Sequence, residues 1–168
     1  LRSILENPSI LKIGQNLKFD MHVLRRHGVD IFPIDDTMIL SYVIDGSKHG
    51  HGMDELAKLH LNYSTIKFSD ICGTGKKQIT FDKVKIDTAA NYAAEDADIT
   101  LQLYQNLKPR LVTDKVTKVY ERLERPLIPI LERMEAIGIK VDSKLLNNLE
   151  KEFSDRANVF SKEIYQLA

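Results

Sequence analysis

Apolar residues recur in steps of three and four along most of this chain, a spacing that favours amphipathic helices. The longest such run predicts a helix that begins with Asp87 as its N-cap and ends near Lys108, where Pro109 should stop it. Its predicted inward face consists of Ile86, Ala90, Ala93, Ala97, Leu101, Tyr104 and Leu107. Helix is therefore the dominant expected structure.

A second helical stripe covers residues 116–137, with two prolines that should kink or restart it. Gly138 is predicted to end this helix, residues 139–142 to form a short strand, and Asp142 to cap a final helix. The predicted inward face of that last helix consists of Leu145, Leu149, Phe153, Ala157, Phe160 and Ile164.

Shorter elements are predicted in the first third of the chain. The run LKIG is too short and too close to glycine for a helix, so it reads as a buried strand. The predicted elements, in chain order, are a helix over 1–6, a strand over 11–14, a helix capped by Asn16 and ending near Gly28, an extended segment over 29–34, a helix over 37–43 capped by Asp35 or Asp36, and a helix over 54–60.

Composition sets the class of protein. The chain has 168 residues, 43% hydrophobic and 29% charged, which suits one folded domain or one domain and a piece of another. We predict a soft boundary near Asp114, which divides the chain into residues 1–113 and 114–168. No apolar run approaches the ~20 residues that a membrane span requires, and the single Cys72 suits a reducing compartment. We therefore expect no membrane partner.

Charge gives no bulk argument for a nucleic-acid partner. The 24 basic and 24 acidic residues balance, with an isoelectric point near 7.1. Any nucleic-acid site would have to be local, with the phosphate charge met by metal ions or a few lysines. Two loops give weak signals for other ligands. CGTGKK lacks the spacing of a nucleotide-binding P-loop, and the two histidines of KHGHG (48–52) need further ligands to hold a metal.

The stretch NYAAEDADITLQLY places acids in the middle of the long predicted helix. Tyr92 and Asp96 are four residues apart and so lie on one face, and the small Ala93 and Ala97 beside them allow another element to approach. Asp20 is expected in the first turn of the helix after the LKIG strand, where the helix dipole favours a carboxylate. Spacing alone leaves two readings open for each acid: a solvated surface side chain or a metal ligand.

Two segments carry a family resemblance. KIGQNLKFD (12–20) and YAAEDADITLQL (92–103) resemble the second and third motifs of the 3′–5′ proofreading exonuclease domain of bacterial family A DNA polymerases, the DNA polymerase I family. The segments between them, and ERPLIPILERMEAIGIKVD after them, resemble the same proteins in the same order, so the resemblance covers essentially the whole chain. It implies an α/β, ribonuclease H-like fold, of which this chain would hold a predominantly α-helical part with a few short strands.

The resemblance also assigns roles. Asp20 and Asp96 match metal-ligand acids, and Tyr92 matches the tyrosine that orients the attacking water. Two Mg²⁺ or Mn²⁺ ions are implied as cofactors for hydrolysis of the 3′-terminal phosphodiester. The residues that match those lining the single-stranded 3′ end of the DNA are Gln15, Asn16, Phe19 and Phe68. Asp96 is then expected to face a metal, whereas Glu95 and Asp98 stay largely solvated.

The resemblance implies a bacterial, cytoplasmic and nucleoid-associated polymerase with DNA and the rest of the polymerase chain as partners. Residues 1–113 would be the C-terminal part of the exonuclease domain, and 114–168 the start of the polymerase domain. The family's first motif, an Asp-x-Glu pair, is not found here, and we expect this chain by itself to be inactive. The alternatives are a non-catalytic scaffold and a stand-alone exonuclease that acts on RNA ends.

Overall fold

The computed structural model describes residues 1–167, which are mainly helical with two short strands, as predicted. Two π-helical segments, Ala57–Leu61 and Tyr120–Glu124, extend or join helices. The elements are α1 Arg2–Leu5, β1 Lys12–Gly14, α2 Leu17–Arg25, β2 Ile34–Asp36, α3 Thr37–Asp45, α4 Met53–Leu56, α5 Phe68–Cys72, α6 Ile86–Thr113, α7 Thr117–Val119, α8 Arg125–Ile137 and α9 Ser143–Leu167.

The two strands form a parallel pair that α2 connects, with Lys12 opposite Ile34 and Gly14 opposite Asp36. Asp36, the last residue of β2, organises the carboxyl end of this pair. Its carboxylate accepts hydrogen bonds from Met38 N (2.9 Å) and Ile39 N (3.3 Å), and thereby caps α3. Of the two predicted caps, Asp36 is therefore the correct one.

The N-cap position of α2 is as predicted, but the Asn16 side chain does not supply the capping bond. Asn16 occupies the N-cap position, but its backbone is left-handed (φ 59°) and its side chain makes no capping bond. The start of α2 is instead satisfied by Asp36, which accepts from Asn16 N (3.2 Å) and Leu17 N (2.7 Å). One buried carboxylate thus fixes the beginnings of two helices that both follow strands.

Two clusters of buried apolar side chains form the core of residues 1–136. The larger joins α3, the α4 segment and the second half of α6, and the smaller lies under α2, β2 and α8. The buried members of the larger cluster are Leu40, Leu56, Ala57, Ile99, Leu103, Leu107, Leu111 and Tyr120; those of the smaller are Leu17, Met21, Ile31, Ile34 and Ile128.

Helix α6 differs from its prediction at both ends. It begins at Ile86 with Lys85 in the N-cap position, and it continues through Pro109 to Thr113. A proline inside a helix costs about 3 kcal/mol or more. Leu107 and Leu111 on either side of it are fully buried, and their burial contributes about 1.5–3 kcal/mol each, enough to offset that cost.

The predicted inward face of α6 is also wrong over residues 86–101. Ile86 is 85% exposed and Leu101 is 45% exposed, and the three predicted alanines are exposed as well. The face that is buried runs instead at steps of four, through Ile99, Leu103, Leu107 and Leu111. Contact with α3 and the α4 segment decides which apolar residues of α6 are buried. The spacing of apolar residues in the sequence does not predict this contact.

Asp35 ties the region after residue 114 to the region before it. This carboxylate is 1% exposed, and it accepts from Tyr104 Oη (3.0 Å), Lys108 Nζ (2.9 Å), Tyr120 Oη (3.0 Å) and Arg125 (3.1 Å). Burial alone would raise the pKa of Asp35, but Lys108 and Arg125 outweigh it and hold the pKa below its usual value.

Residues 1–136 form one compact unit, so the predicted boundary near Asp114 falls inside it. The second unit begins at Ile137. The assignment of residues 114–168 to the start of a polymerase domain stays a prediction, since a structural unit and a functional domain need not share a border.

The second unit is essentially α9 and the turn before it. Gly138 (φ +71°) follows the end of α8 as predicted, and Asp142 caps α9 by accepting from Lys144 N and Leu145 N, both at 3.0 Å. Residues 139–142 are not a strand, because a strand needs a neighbour for its backbone hydrogen bonds. The predicted burial along α9 is wrong too: within Ser143–Leu167 no residue is buried. Among the described residues, none of the helices has the length and apolar character needed to cross a membrane.

Candidate functional site

A cavity of about 490 Å³ opens beyond the carboxyl end of β1, between α2, the start of α4 and the middle of α6. Ligand sites of open α/β folds usually lie at this end of the strands. Asp20 from α2 and Asp96 from α6 both line it, together with Gln15, and Ala97 and Leu101 supply part of its wall. The fold thus brings together two acids that are 76 residues apart in the sequence.

Asp96 is the unusual member of this cavity. Its Oδ1 is buried and has no hydrogen-bond partner among the described residues. Burial raises the pKa of Asp96, an effect that Tyr92 opposes and that the neighbouring Glu95 and Asp54 increase. A buried carboxylate oxygen without a donor is costly, and a cation in the cavity would remove that cost.

Asp20 lies in the first turn of α2, at an exposed position on the cavity wall. Partial desolvation raises the pKa of Asp20, although its own backbone N–H group acts in the opposite direction. Two carboxylates with raised pKa values in one cavity are typical of a functional site, because a purely structural acid is usually paired.

Tyr92 lies one helical turn before Asp96 and belongs to an aromatic cluster. Its ring centroid is 6.4 Å from that of Phe68 and 6.0 Å from that of Phe81, and the Phe68 and Phe81 rings are stacked with centroids 6.2 Å apart. Phe68 and Phe81 are 45% and 39% exposed, so one face of the cluster remains open. Phe81 was not predicted as a site residue, although it lies within the segment that resembles the family.

Glu95 is not the solvated acid that was predicted. Its carboxylate accepts from Tyr63 Oη and from Ile66 N, both at 2.7 Å. These bonds fix the loop that leads to Phe68 at the start of α5. Asp98 remains exposed as expected, where it accepts only from the Gln102 side chain (2.6 Å) among the described residues.

The other predicted site residues, Gln15, Asn16 and Phe19, line two different cavities. Gln15 lines the cavity with its amide held at both ends: its oxygen accepts from the Thr37 hydroxyl, and its nitrogen donates to His51 O (2.8 Å). Asn16 and Phe19 line a separate surface cavity of about 310 Å³. Phe19 is 66% exposed, so this ring is available to a partner.

The donor set of the main cavity fits a hard divalent cation. Asp20 and Asp96 supply carboxylate oxygens, which suit Mg²⁺ and Mn²⁺, and the unpartnered Oδ1 of Asp96 is available to a ligand. Asp54 is a further acid near Tyr92 and Asp96, close enough to raise the pKa of both. Sequence reasoning did not single it out, since it lies 42 positions before Asp96.

Comparison with known proteins identifies the family. A family model described as 3′–5′ exonuclease, of the DNA polymerase A type, matches residues 1–112. The whole chain is 50% identical to DNA polymerase I of Rhizobium leguminosarum and 41% identical to that of Pseudomonas aeruginosa. The chain spans 16% and 19% of the length of these two relatives.

Solved structures agree with this assignment. Brucella melitensis NrnC matches with a TM-score of 0.68 and 26% identity over 81% of this chain and 63% of that one. A structure of the same nuclease with bound Mg²⁺ matches at 25% identity, with a TM-score of 0.66. The polymerase domain of Pol1 from M. smegmatis, in complex with DNA primer-template and dNTP, matches with a TM-score of 0.63 and 25% identity over 92% of this chain and 24% of that one.

The motif positions, the cavity they form and these comparisons agree, and the chain belongs to the 3′–5′ exonuclease domain family of DNA polymerase A, with its ribonuclease H-like α/β fold.

Proposed function

We propose that this chain is part of a DNA polymerase I that acts in replication and repair, and that residues 1–113 contribute to its 3′–5′ proofreading exonuclease. The reaction is hydrolysis of the 3′-terminal nucleotide of single-stranded DNA, in the cytoplasm of a bacterium and at its nucleoid. The observation that carries the proposal is the buried, unpartnered Oδ1 of Asp96 in the cavity that Asp20 shares.

Asp20 and Asp96 would hold the cation, Mg²⁺ or Mn²⁺. The Mg²⁺-bound structure of the Brucella nuclease supports this choice, as does the oxygen-only donor set. When bound, such ions supply positive charge that stabilises the phosphate oxygens and the leaving 3′ oxygen, and they lower the pKa of a bound water. The family resemblance implies two ions and four acids, of which this chain supplies Asp20 and Asp96.

Tyr92 would orient the attacking water. Burial, followed by the nearby Asp96, raises the pKa of the Tyr92 phenol, which therefore stays protonated at neutral pH. A protonated phenol can donate or accept a hydrogen bond, but it is not a general base near pH 7. Its contribution is the position of the water and not removal of its proton.

The aromatic cluster of Phe68, Phe81 and Tyr92 would contact the bases of a frayed 3′ end. Stacking on an aromatic side chain contributes about 1–3 kcal/mol per base and does not depend on sequence, as proofreading requires. Gln15 would meet the terminal nucleotide inside the cavity, while Asn16 and Phe19 would contact the strand farther along the surface. The primer-template complex of the mycobacterial polymerase supports DNA as the partner.

A second candidate function is a nuclease for RNA ends. The observation in its favour is the likeness to Brucella melitensis NrnC, one structure of which is bound to pGG and matches 84% of this chain at 25% identity. The full-length matches to DNA polymerase I favour the first function. A non-catalytic scaffold, the third reading, gives no reason for Asp20 and Asp96 to share a cavity.

The test is stepwise degradation of 5′-labelled oligonucleotides by the full-length protein that carries this sequence, with Mn²⁺ or Mg²⁺. Single-stranded DNA and RNA of the same sequence are compared. Asp96→Asn should reduce the rate by 10²-fold or more, because it removes a ligand that stabilises the transition state. Asp98→Asn is the matched control: it changes an exposed acid two residues away on the same helix and should leave the rate unchanged.

Preference for DNA supports the proofreading function, and preference for RNA supports the second candidate. Equal rates for the wild type and Asp96→Asn contradict both. The 168-residue chain is assayed beside the longer protein, and we expect no stepwise loss from it. Activity of the short chain that Asp96→Asn abolishes would show that Asp20 and Asp96 suffice with ligands not yet identified.

A further inference from the structure

A second group of potential metal ligands lies outside the cavity described above. The group consists of Asp45 at the end of α3, His49 in the loop that follows, and His60 in the π-helical segment Ala57–Leu61, and each residue offers one ligand atom. These three atoms lie within 4.8 Å of one another. The loop histidines alone did not predict a metal site because further ligands were lacking; the fold supplies Asp45 and His60.

The two histidines present unsatisfied nitrogens. Nε2 of His49 and Nε2 of His60 are buried and have no hydrogen-bond partner among the described residues. Nδ1 of His49 is 2.6 Å from the carbonyl oxygen of Gly50, which can only accept a hydrogen bond. Nδ1 therefore carries the hydrogen, and in the neutral ring Nε2 carries a lone pair. A hydrogen bond of this kind fixes the tautomer of metal-binding histidines.

That lone pair faces a carboxylate. Nε2 of His49 is 3.6 Å from Oδ2 of Asp45, so two acceptors are directed at each other unless a positive charge lies between them. Either a proton on His49 or a cation shared with His60 would supply that charge. A proton on His49 would leave Nε2 of His60 without a partner, whereas a cation satisfies all three groups.

His51 shows what a structural histidine looks like in the same loop. Its Nδ1 is 2.8 Å from the Ser41 hydroxyl and its Nε2 is 2.7 Å from Gly46 O, so both ring nitrogens have partners. Its ring packs edge-on against that of His49, with centroids 5.2 Å apart. The unsatisfied nitrogens are thus on the two histidines that approach Asp45.

Two cations already contact Asp45, and they limit the affinity of the site. Arg110 makes two bonds to the carboxylate, at 3.0 and 3.2 Å, and Lys48 makes one, at 3.1 Å. The other neighbour of Arg110 is Asp114, at 3.3 Å. The Lys48 side chain is 71% exposed and can leave the carboxylate at little cost. Arg110 would remain, so the site should bind more weakly than a four-ligand structural site.

We propose that Asp45, His49 and His60 form a site for a borderline divalent cation, Zn²⁺ in particular, with water as the fourth ligand. Two imidazoles and one carboxylate suit zinc, in contrast to the carboxylates of the Asp20 and Asp96 cavity, which suit Mg²⁺ or Mn²⁺. The two sites share no residue. The bound cation would join the loop after α3 to the helical segment that carries His60, and its effect would be on stability rather than on hydrolysis.

The test is metal titration of the EDTA-treated 168-residue chain. Co²⁺ replaces Zn²⁺ as a spectroscopic probe, since tetrahedral Co²⁺ absorbs visible light, and Zn²⁺ is titrated by calorimetry and by its effect on the melting temperature. We expect one Co²⁺ per chain with a tetrahedral spectrum, and an increase in melting temperature with Zn²⁺. His49→Gln and His60→Gln should each weaken binding at least tenfold and abolish the spectrum.

Two controls separate this site from others. His27→Gln changes an exposed histidine outside the cluster and should not alter Co²⁺ binding. Asp96→Asn changes the oxygen-lined cavity and should leave the tetrahedral Co²⁺ spectrum unchanged, because that spectrum reports the histidine site. Failure of the wild-type chain to bind Co²⁺ or Zn²⁺ would overturn the proposal without any variant. Unchanged affinity in both His49→Gln and His60→Gln would overturn it as well. Neither His49 nor His60 lines the proposed exonuclease cavity. The result of the metal titration is therefore independent of the result of the exonuclease assay.

Discussion

Asp35 is a fully buried acid and Asp96 a half-buried one with a buried Oδ1 atom, and their environments are opposite. The carboxylate of Asp35 receives four hydrogen bonds, two of them from the cations Lys108 and Arg125, and its pKa is lowered. Asp96 has an oxygen with no partner among the described residues, and burial raises its pKa. The hydrogen-bond partners of an acid, more than the extent of its burial, therefore distinguish a structural role from a ligand-binding one.

The position of each acid in the fold explains the difference. Asp35 is the middle residue of β2 in the first unit, where side chains from α6, the π-helical segment Tyr120–Glu124 and α8 converge on it. Asp96 faces an open cavity whose far wall carries Asp20. An acid at a junction of helices is fully paired because every neighbour belongs to the protein; an acid at a cavity leaves room for something else.

The largest expected effect is that of Asp35→Asn on stability. Asparagine has nearly the same shape as aspartate but lacks the negative charge that neutralises Lys108 and Arg125. Its amide N–H groups would also face side chains that donate hydrogen bonds to Asp35. Loss of one partner from a buried pair typically costs 3–5 kcal/mol. Since Lys108 and Arg125 are partly exposed, we expect about 3 kcal/mol from urea denaturation. Asp98→Asn, the exposed control, should change the free energy of unfolding by less than about 0.5 kcal/mol.

Asp96→Asn is expected to have a smaller effect on stability, of the opposite sign. Without metal, the variant removes the charge from a half-buried carboxylate whose Oδ1 has no partner, so it should be as stable as the wild type or more stable by about 1 kcal/mol. With Mn²⁺ present, the melting temperature of the wild type should rise and that of the variant should not. A loss of stability like that of Asp35→Asn would show that Asp96 is a structural acid and that the comparison fails.

The stability of the chain should depend on pH in opposite ways through Asp35 and Asp96. We expect this effect to be smaller than the effects of the two substitutions described above. The lowered pKa of Asp35 contributes stability that is present above about pH 4, the usual value for an unfolded aspartate, and is lost as the pH falls below it. Arg110 and Lys48 outweigh the effect of burial and lower the pKa of Asp45 to about 2, so Asp45 contributes in the same direction.

Asp96 acts in the reverse direction. Its raised pKa favours the protonated form in the folded chain, so the contribution of Asp96 to stability is greatest below about pH 4 and decreases as the pH rises through the folded pKa. Urea denaturation in EDTA from pH 2 to 7 tests both signs: Asp35→Asn should flatten the decline below pH 4, and Asp96→Asn should flatten the decline above it. The same profile for both variants would contradict the assigned directions.

Local patterns predicted the elements of this chain better than their faces. The short strand at LKIG, the caps at Asp36 and Asp142 and the end of α8 at Gly138 depend on residues a few positions apart, and they are as expected. The inward face of α6 is not, because an alanine-rich helix offers more than one apolar face. Long-range contacts with α3 select the face through Leu103 and Leu107.

Asp20, Tyr92 and Asp96 were predicted from motif spacing and family resemblance, both of which can be recognised within short stretches of the sequence. Phe81, Asp54 and the cluster of Asp45, His49 and His60 were not, because their spacing in the sequence matches no motif and only the fold shows which side chains they approach.

The helical character of the chain, the identity of its motif residues and its family follow from the amino-acid sequence. Which acids are paired depends on contacts between distant parts of the folded chain. Asp35 and Asp36 are adjacent, yet one is surrounded by cations and tyrosines and the other by backbone N–H groups. The physical reason is that successive residues of a strand point to opposite sides, so two identical side chains meet different parts of a chain that only folding brings together.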